Sequence, residues 1–523
     1  MKKYMVLFLF SQVASCVPEH GGTPSNAHCL STDLSGEIRG TLGGNVSLCG
    51  DVTISGELTS NAPGIVLEIK PGTVIRMSEH SRIRLDSYPI TVKAHGLSTR
   101  PITFEGLNAA SWAGILLGNE ITPDSRLDHV VIRHATHTNP FALSVDAPIT
   151  LNHVIIRESW AGIDARNFNP FSENLSIDVQ SSPARLRGEG AITNFPLGGT
   201  VESQSGAPVE VDLGGLVSEF PIHFRDLGVP YRLAEEIRTN SSFNVDAGVE
   251  IFASETSGLQ LDGPAKFAGT AEKPILLQQV SEDPDAWFKL SFNYDPNTGM
   301  GNNVELSHVE IRRGAVTFPI STLDHVSCVN CSAVALGGPI DATALSLTGN
   351  PDLVLELWTL DTALSIPTNS NLELEQISVL IPNFETSGVL RNFGAPYVFR
   401  DGLRNERPIT LEIESGAELI FGSSGYGVEL GQNMPATLKA DNVTFTSFTS
   451  WNGFNLGHNM DAGSYIRNSR IEYTSGVGVK MVRPIELTSN TISGLGYCIE
   501  TSEDDLIDYI TMNTLDCRLG AMK

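Results

Sequence analysis

An octapeptide recurs along this chain at uneven intervals: "LDHVVIRH" at 127–134, "LNHVIIRE" at 151–158, "LSHVEIRR" at 306–313 and "LDHVSCVN" at 323–330. Each copy puts a histidine (His129, His153, His308, His325) two places after a leucine and directly before a valine. Alternate residues of a strand face the same way. Leu127 therefore shares a face with His129, whereas Val130 and Ile132 have the opposite parity. All three apolar residues reach one core only if the chain turns between 127 and 130, which leaves the histidine at the corner. By the same logic Leu306, Val309 and Ile311 face inward, and Glu310 and Arg312 face solvent. In "IRNSRIEY" the inward set is Ile466, Ile471 and Tyr473, Arg470 and Glu472 point out, and Asn468 takes the corner. In "IELTSNTISG" the corner falls on Ser489 or Asn490. Histidine and asparagine are both enriched at left-handed backbone angles and both bond locally. Asparagine cannot replace imidazole on a transition metal, but it can replace it at a turn. We therefore read His129, His153, His308, His325 and Asn468 as structural corners.

Short strands that turn sharply and recur at the spacing of His308 to His325, or the wider spacing of His129 to His153, describe the coils of a solenoid. A longer period is superimposed. "SWAGILLG" (Trp112), "AWFKLSFN" (Trp287) and "SWNGFNLG" (Trp451) mark three copies of a larger unit. A glycine corner precedes each at a similar distance, in "EIKPGTVI" (Gly72), "NVDAGVEI" (Gly248) and "EIESGAEL" (Gly416). "GVPY" at 228 and "GAPY" at 394 open the second and third copies. The expected organisation is a leader over 1–15, a tether or cap over 16–43, repeats over 44–227, 228–393 and 394–500, and a closing coil over 501–523.

The elements "KPGTV", "RPITFEG", "SWAGILL" and "LDHVVIRH" resemble those of the bacterial right-handed parallel β-helix repeat proteins, over about residues 44–500. The second and third copies depart from that pattern at the glycine corner, with "DAGV" and "ESGA". The resemblance implies an all-β fold, a right-handed parallel β-helix (solenoid) with three internal repeats. It also implies a secreted or lipid-anchored protein of the bacterial surface or outer membrane. It is specific for fold and carries little about activity.

The opening "MKKYMVLFLFSQVASC" fits an export signal: Lys2 and Lys3, an apolar run from Tyr4 to Phe10, then small residues ending at Cys16. An ordinary cleaved signal peptide has the same layout, but "VASC" resembles a bacterial lipobox, so Cys16 is the expected lipidation site. No later stretch has the ~18 uninterrupted apolar residues of a membrane helix. The other cysteines fall into three local sets, Cys29 with Cys49, Cys328 with Cys331, and Cys498 with Cys517, as an oxidising compartment permits. Cys328-x-x-Cys331 lies on an apparent strand, where a redox centre would open a helix, so it reads as structural or unpaired. The outer two sets are placed to staple the end coils, whose open strand edges would otherwise pair with other chains.

A net charge of −26 repels phosphate backbones, which argues against nucleic-acid partners. The expected partners are the membrane, through the anchor, and a polysaccharide or surface protein, with the chain itself a monomer. The interval from Trp287 to His308 is four positions longer than those from Trp112 to His129 and from Trp451 to Asn468. The excess lies in "NYDPNTGMGNN", just after "SEDPDAW", and Asp283, Asp285, Asp295 and Asn297 are candidate Ca²⁺ ligands. The loop lacks a terminal glutamate at the proper offset, and no other cofactor is expected. Among catalytic signatures there is no GxSxG, HExxH or phosphate loop. Carboxylates such as those in "LDTAL" (360–364) show no partner in sequence. The favoured reading is a non-catalytic surface lipoprotein presenting a binding or adhesion face. The alternative is a polysaccharide lyase or glycoside hydrolase on the same fold, which needs paired carboxylates across a cleft.

Overall fold

Apolar–polar alternation turns directly into strands whose burial alternates residue by residue, as in Ile65–Ile69 and Ile90–His95. In this computed structural model the described residues are 29–521, apart from 31, 137–140, 214–216, 255–256, 282, 284–285, 293, 296–299, 302, 320, 339, 382, 423–426 and 502–505. Nearly every strand pairs in parallel with one from the next coil, so the fold is an all-β parallel solenoid. The chain divides into two compact units, Met1–Ser257 and Gly258–Lys523, and the division falls inside the second sequence repeat. No helix among the described residues is long and apolar enough to cross a membrane.

In the first unit one inward column runs through Val52, Ile75, Phe104, Ile132, Ile156, Ile177 and Val201, all buried. A second runs through Leu85, Leu117, Val145, Ala165, Leu186, Val211, Leu233 and Ala253. In the second unit a single column climbs from Leu259 through Leu290, Val316, Val334, Leu355, Ile377, Tyr397, Leu419, Phe445 and Ile471 to Ile492. Each large apolar side chain in these columns contributes about 1.5–3 kcal/mol by leaving water. Rung spacing is less regular than the sequence suggests. Ile311 meets Cys328 after one short coil, whereas Leu277 meets Ile311 only after a much longer one. The long coil contains the insertion, where Tyr294–Asp295 and Met300–Gly301 form an antiparallel pair.

The corner histidines have φ of 46° (His129), 54° (His153), 47° (His308) and 54° (His325), with Asn468 at 49° and Ser489 at 57°. Asn490 instead turns inward, accepting from the Ser469 N–H and donating to the Ile466 carbonyl, both at 2.8 Å. A second left-handed corner, which parity did not reveal, follows five positions later at His134, Glu158, Arg313, Asn330 and Tyr473, with φ of 53–60°. This corrects the inward placement of Tyr473. The chain bends at that residue and leaves it 59% exposed. A left-handed residue with a Cβ costs roughly 1–2 kcal/mol, offset by rung bonds such as Arg313 N–H to Val329 O at 2.9 Å and Asn330 N–H to Thr348 O at 2.8 Å. Gly72, Gly248 and Gly416 also have positive φ, 81–85°, where glycine carries no such cost.

Trp112 and Trp451 are fully buried, and each indole N–H donates at 2.7 Å to the carbonyl just before the second corner, Arg133 O and Glu472 O. Trp287 is only half-buried, with the Arg313 guanidinium 6.0 Å from its ring. Cys29–Cys49, Cys328–Cys331 and Cys498–Cys517 are disulfide-bonded, so the CxxC is a closed pair inside the strand region. The helix Leu506–Met512 carries Tyr509, whose hydroxyl donates to Ile485 O at 3.0 Å.

Candidate functional site

Left-handed corners stacked coil on coil bring the histidines together in pairs. His129 stacks on His153 with ring centroids 4.4 Å apart, and His308 on His325 at 4.8 Å. Beside the first pair, the Asp128 carboxylate is claimed by Arg126 (2.5 Å) and His95 (3.0 Å), and it also accepts from Asn152. Its pKa is lowered by those hydrogen bonds and charges, which overcome its burial. Beside the second pair, Asp324 accepts from His325 Nδ1 (2.7 Å), Ser307 Oγ (3.1 Å) and Thr343 Oγ1 (2.5 Å), and lies 3.7 Å from His308 Nδ1. Hydrogen bonds from Thr343 and His325 bring its pKa down to about 2.

Of the calcium candidates, Asp283 is described. The Arg313 guanidinium donates to the carbonyls of Asp283 (2.5 Å) and Ser281 (2.7 Å), and Asp283 N–H donates to Ser281 Oγ. Only the backbone of Asp295 is described, in the short hairpin. Asp285, Asn297 and the lipidation candidate Cys16 lie outside the described residues. Among the described residues, then, no calcium-ligating group is assembled from this set.

Sequence reasoning missed two groups. On one outer face of the first unit, strands Ala161–Ala165 and Ala184–Leu186 are neighbours, and Arg187 follows the second. Its guanidinium reaches Asp164 (2.5 Å) and Asp146 (2.7 Å), both distant along the chain. Burial pushes the Asp164 carboxyl up, and the Arg187 guanidinium opposes it incompletely. Arg185 pairs with Asp212 and Arg232 with Glu210 on the following rungs. The only sequence signal was the outward parity of Asp164 in "AGIDA" and of Arg185 in "ARL". By contrast, Asp361 of "LDTAL" serves the fold, accepting from the Glu385 and Thr386 amides and the Thr386 hydroxyl.

The other group lies in the second unit, where a groove of about 420 Å³ crosses successive coils. Its lining includes Ser387, Thr410, Thr437, His458, Asp461 and Arg483. The strands Ile409–Ile413 and Ala436–Asp441 are paired rungs, so Thr410 and Thr437 stand side by side. Asp461 accepts from the Gly463 N–H at 2.8 Å, and the His458 imidazole lies 3.2 Å from the Asn459 amide. Arg483 is exposed and has no carboxylate or hydrogen-bond partner among the described residues. Hydroxyls, an imidazole, the Asp461 carboxylate and the Arg483 guanidinium arranged along the coil axis can hold a polar chain. Comparison with protein-family models, with curated proteins and with solved structures found no match.

Proposed function

We propose that this chain is a non-catalytic, exported β-helical protein of the bacterial type its repeats resemble, lipid-anchored through Cys16 and presenting the groove from Ser387 to Arg483 to a neutral glycan. The observation that carries the reading is Arg483. An exposed arginine without a partner among the described residues, set in a groove with the hydroxyls of Ser387, Thr410 and Thr437, offers a fork of donors to the hydroxyl and ring oxygens of a sugar. A neutral sugar escapes the repulsion of a chain of net charge −26. Coils about 4.8 Å apart repeat hydroxyl groups at nearly the length of a sugar residue, which suits a linear polymer lying along the groove. Adhesion to a host or neighbouring cell through such glycans is the physiological form of this reading.

Its test is a glycan array followed by titration with the best oligosaccharide. Arg483→Gln is expected to weaken binding at least tenfold, and equal binding by wild type and variant would refute the groove. The anchor is checked separately: Cys16→Ala is expected to move the protein from the membrane fraction to the soluble one.

A second reading, polysaccharide lyase or glycoside hydrolase, has one supporting feature. Asp164 has a raised pKa, as a general acid needs, and Asp146 shares its arginine. Against it, the guanidinium occupies both carboxylates. New reducing ends or unsaturated products from acidic polysaccharides, lost in Asp164→Asn, would establish the enzyme.

A further inference from the structure

The two histidine corners of the second unit and the acid between them form a group that the glycan reading does not use. One ligand atom each from His308, Asp324 and His325 lies within 4.8 Å of the others. We infer that His308, Asp324 and His325 form a binding site for a divalent transition cation of the Zn²⁺ class.

Three features support this. The first is rigidity at the root. Both histidines are held at left-handed corners of paired rungs, with Ser307 opposite Asp324 and Val309 opposite Val326, so their Cα–Cβ directions are set by the backbone. The second is orientation. The Ser307 and Thr343 hydroxyls donate to opposite oxygens of Asp324, the outer-shell arrangement that fixes a ligating carboxylate. His325 Nδ1 lies 2.7 Å from that carboxylate, and His308 Nδ1 lies 3.1 Å from Ser307 Oγ and 3.7 Å from the carboxylate. The third is charge. Both ion pairs of Asp324 among the described residues are to histidine, so its negative charge meets no fixed cation there.

Zinc bonds of about 2.0–2.2 Å place tetrahedral ligand atoms roughly 3.4 Å apart. Here the imidazole nitrogens lie 2.7 and 3.7 Å from the carboxylate, with all three ligand atoms within 4.8 Å of one another. The rings, now stacked with an interplanar angle of 11°, must turn out of that stack for both Nδ1 lone pairs to converge on the cation. A cation at Nδ1 takes each neutral imidazole in the tautomer whose single hydrogen is on Nε2, so the ligating nitrogen offers a lone pair and no proton need leave the ring. Partial exposure of all three side chains leaves room for water to complete the shell. Two imidazoles with one carboxylate favour Zn²⁺ over Ca²⁺, which takes oxygen ligands.

The full, disulfide-bonded chain is titrated with ZnCl₂ by calorimetry, and the bound metal is examined by X-ray absorption. The expected result is one saturable site with imidazole scattering, absent with CaCl₂. His308→Asn, His325→Asn and Asp324→Asn should each raise Kd at least tenfold with unchanged circular dichroism, the first two because asparagine already holds the same corner at residue 468 and the third because the amide keeps the size of the carboxylate. His129→Asn in the other ladder should leave Kd unchanged. No saturable binding by wild type overturns the inference, and so does undiminished binding by the three variants. A loss caused equally by His129→Asn overturns it too, by locating the metal elsewhere.

Discussion

The first unit's His129–His153 ladder and the second unit's His308–His325 ladder share backbone angle, stacking and flanking apolar residues, yet their charge environments differ. In the first, the acid precedes the first histidine (Asp128), and Arg126, two places earlier on the same face, neutralises it at 2.5 Å. In the second, the acid precedes the second histidine (Asp324), and the corresponding position is Thr322, which carries no charge. Aliphatic columns determine that a corner must exist, and stacking determines that the rings meet. One outward residue two places before the acid then decides whether the carboxylate is already spoken for. A single motif thus provides a sealed ion pair in one unit and an open donor set in the other.

The largest effect should come from what the ladders share. Val309→Asp puts a carboxylate into a position that is 1% exposed, opposite Val326 and Ile275. The expected destabilisation is about 4–5 kcal/mol, seen as loss of the cooperative thermal transition by circular dichroism, and Val130→Asp should match it. A mild effect in one ladder alone would break the equivalence. Next comes transfer of the difference itself. Thr322→Arg, at an exposed site, should bring a guanidinium onto Asp324 and raise Kd for Zn²⁺ at least tenfold, with little change in melting temperature.

A smaller effect is expected with pH. The folded-state pKa of Asp324 lies at about 2, below the ordinary 3.8. A depressed pKa contributes stability that is present above 3.8 and lost as pH falls toward 2. The gap in melting temperature between wild type and Asp324→Asn should therefore shrink across that window, and a constant gap would show that the charge contributes nothing. The smallest effect is His308→Asn, expected within about 0.5 kcal/mol in urea titration, since Asn468 adopts nearly the same φ in an equivalent corner.

The corners at His129, His153, His308, His325 and Asn468 were legible because three apolar residues of mixed parity around one residue admit a single explanation, a turn. The second corner was not. His134, Glu158, Arg313, Asn330 and Tyr473 share no side-chain chemistry, and parity carried Tyr473 to the wrong face. Trp287 aligns in sequence with the buried Trp112 and Trp451, but it is half-buried with the Arg313 guanidinium 6.0 Å from its ring, a difference the motif did not reveal.

Local alternation, left-handed residue types and the order of recurring segments sufficed to specify a coiled all-β chain, because each acts within a few residues. The meeting of Arg187 with Asp146 and Asp164, the line from Thr410 to Arg483, and the gathering of His308, Asp324 and His325 depended on tertiary structure. Coils differ widely in length, from the short one joining Ile311 to Cys328 to the long one joining Leu277 to Ile311. Which outward side chains become neighbours is therefore settled only when the aliphatic columns lock one rung above another.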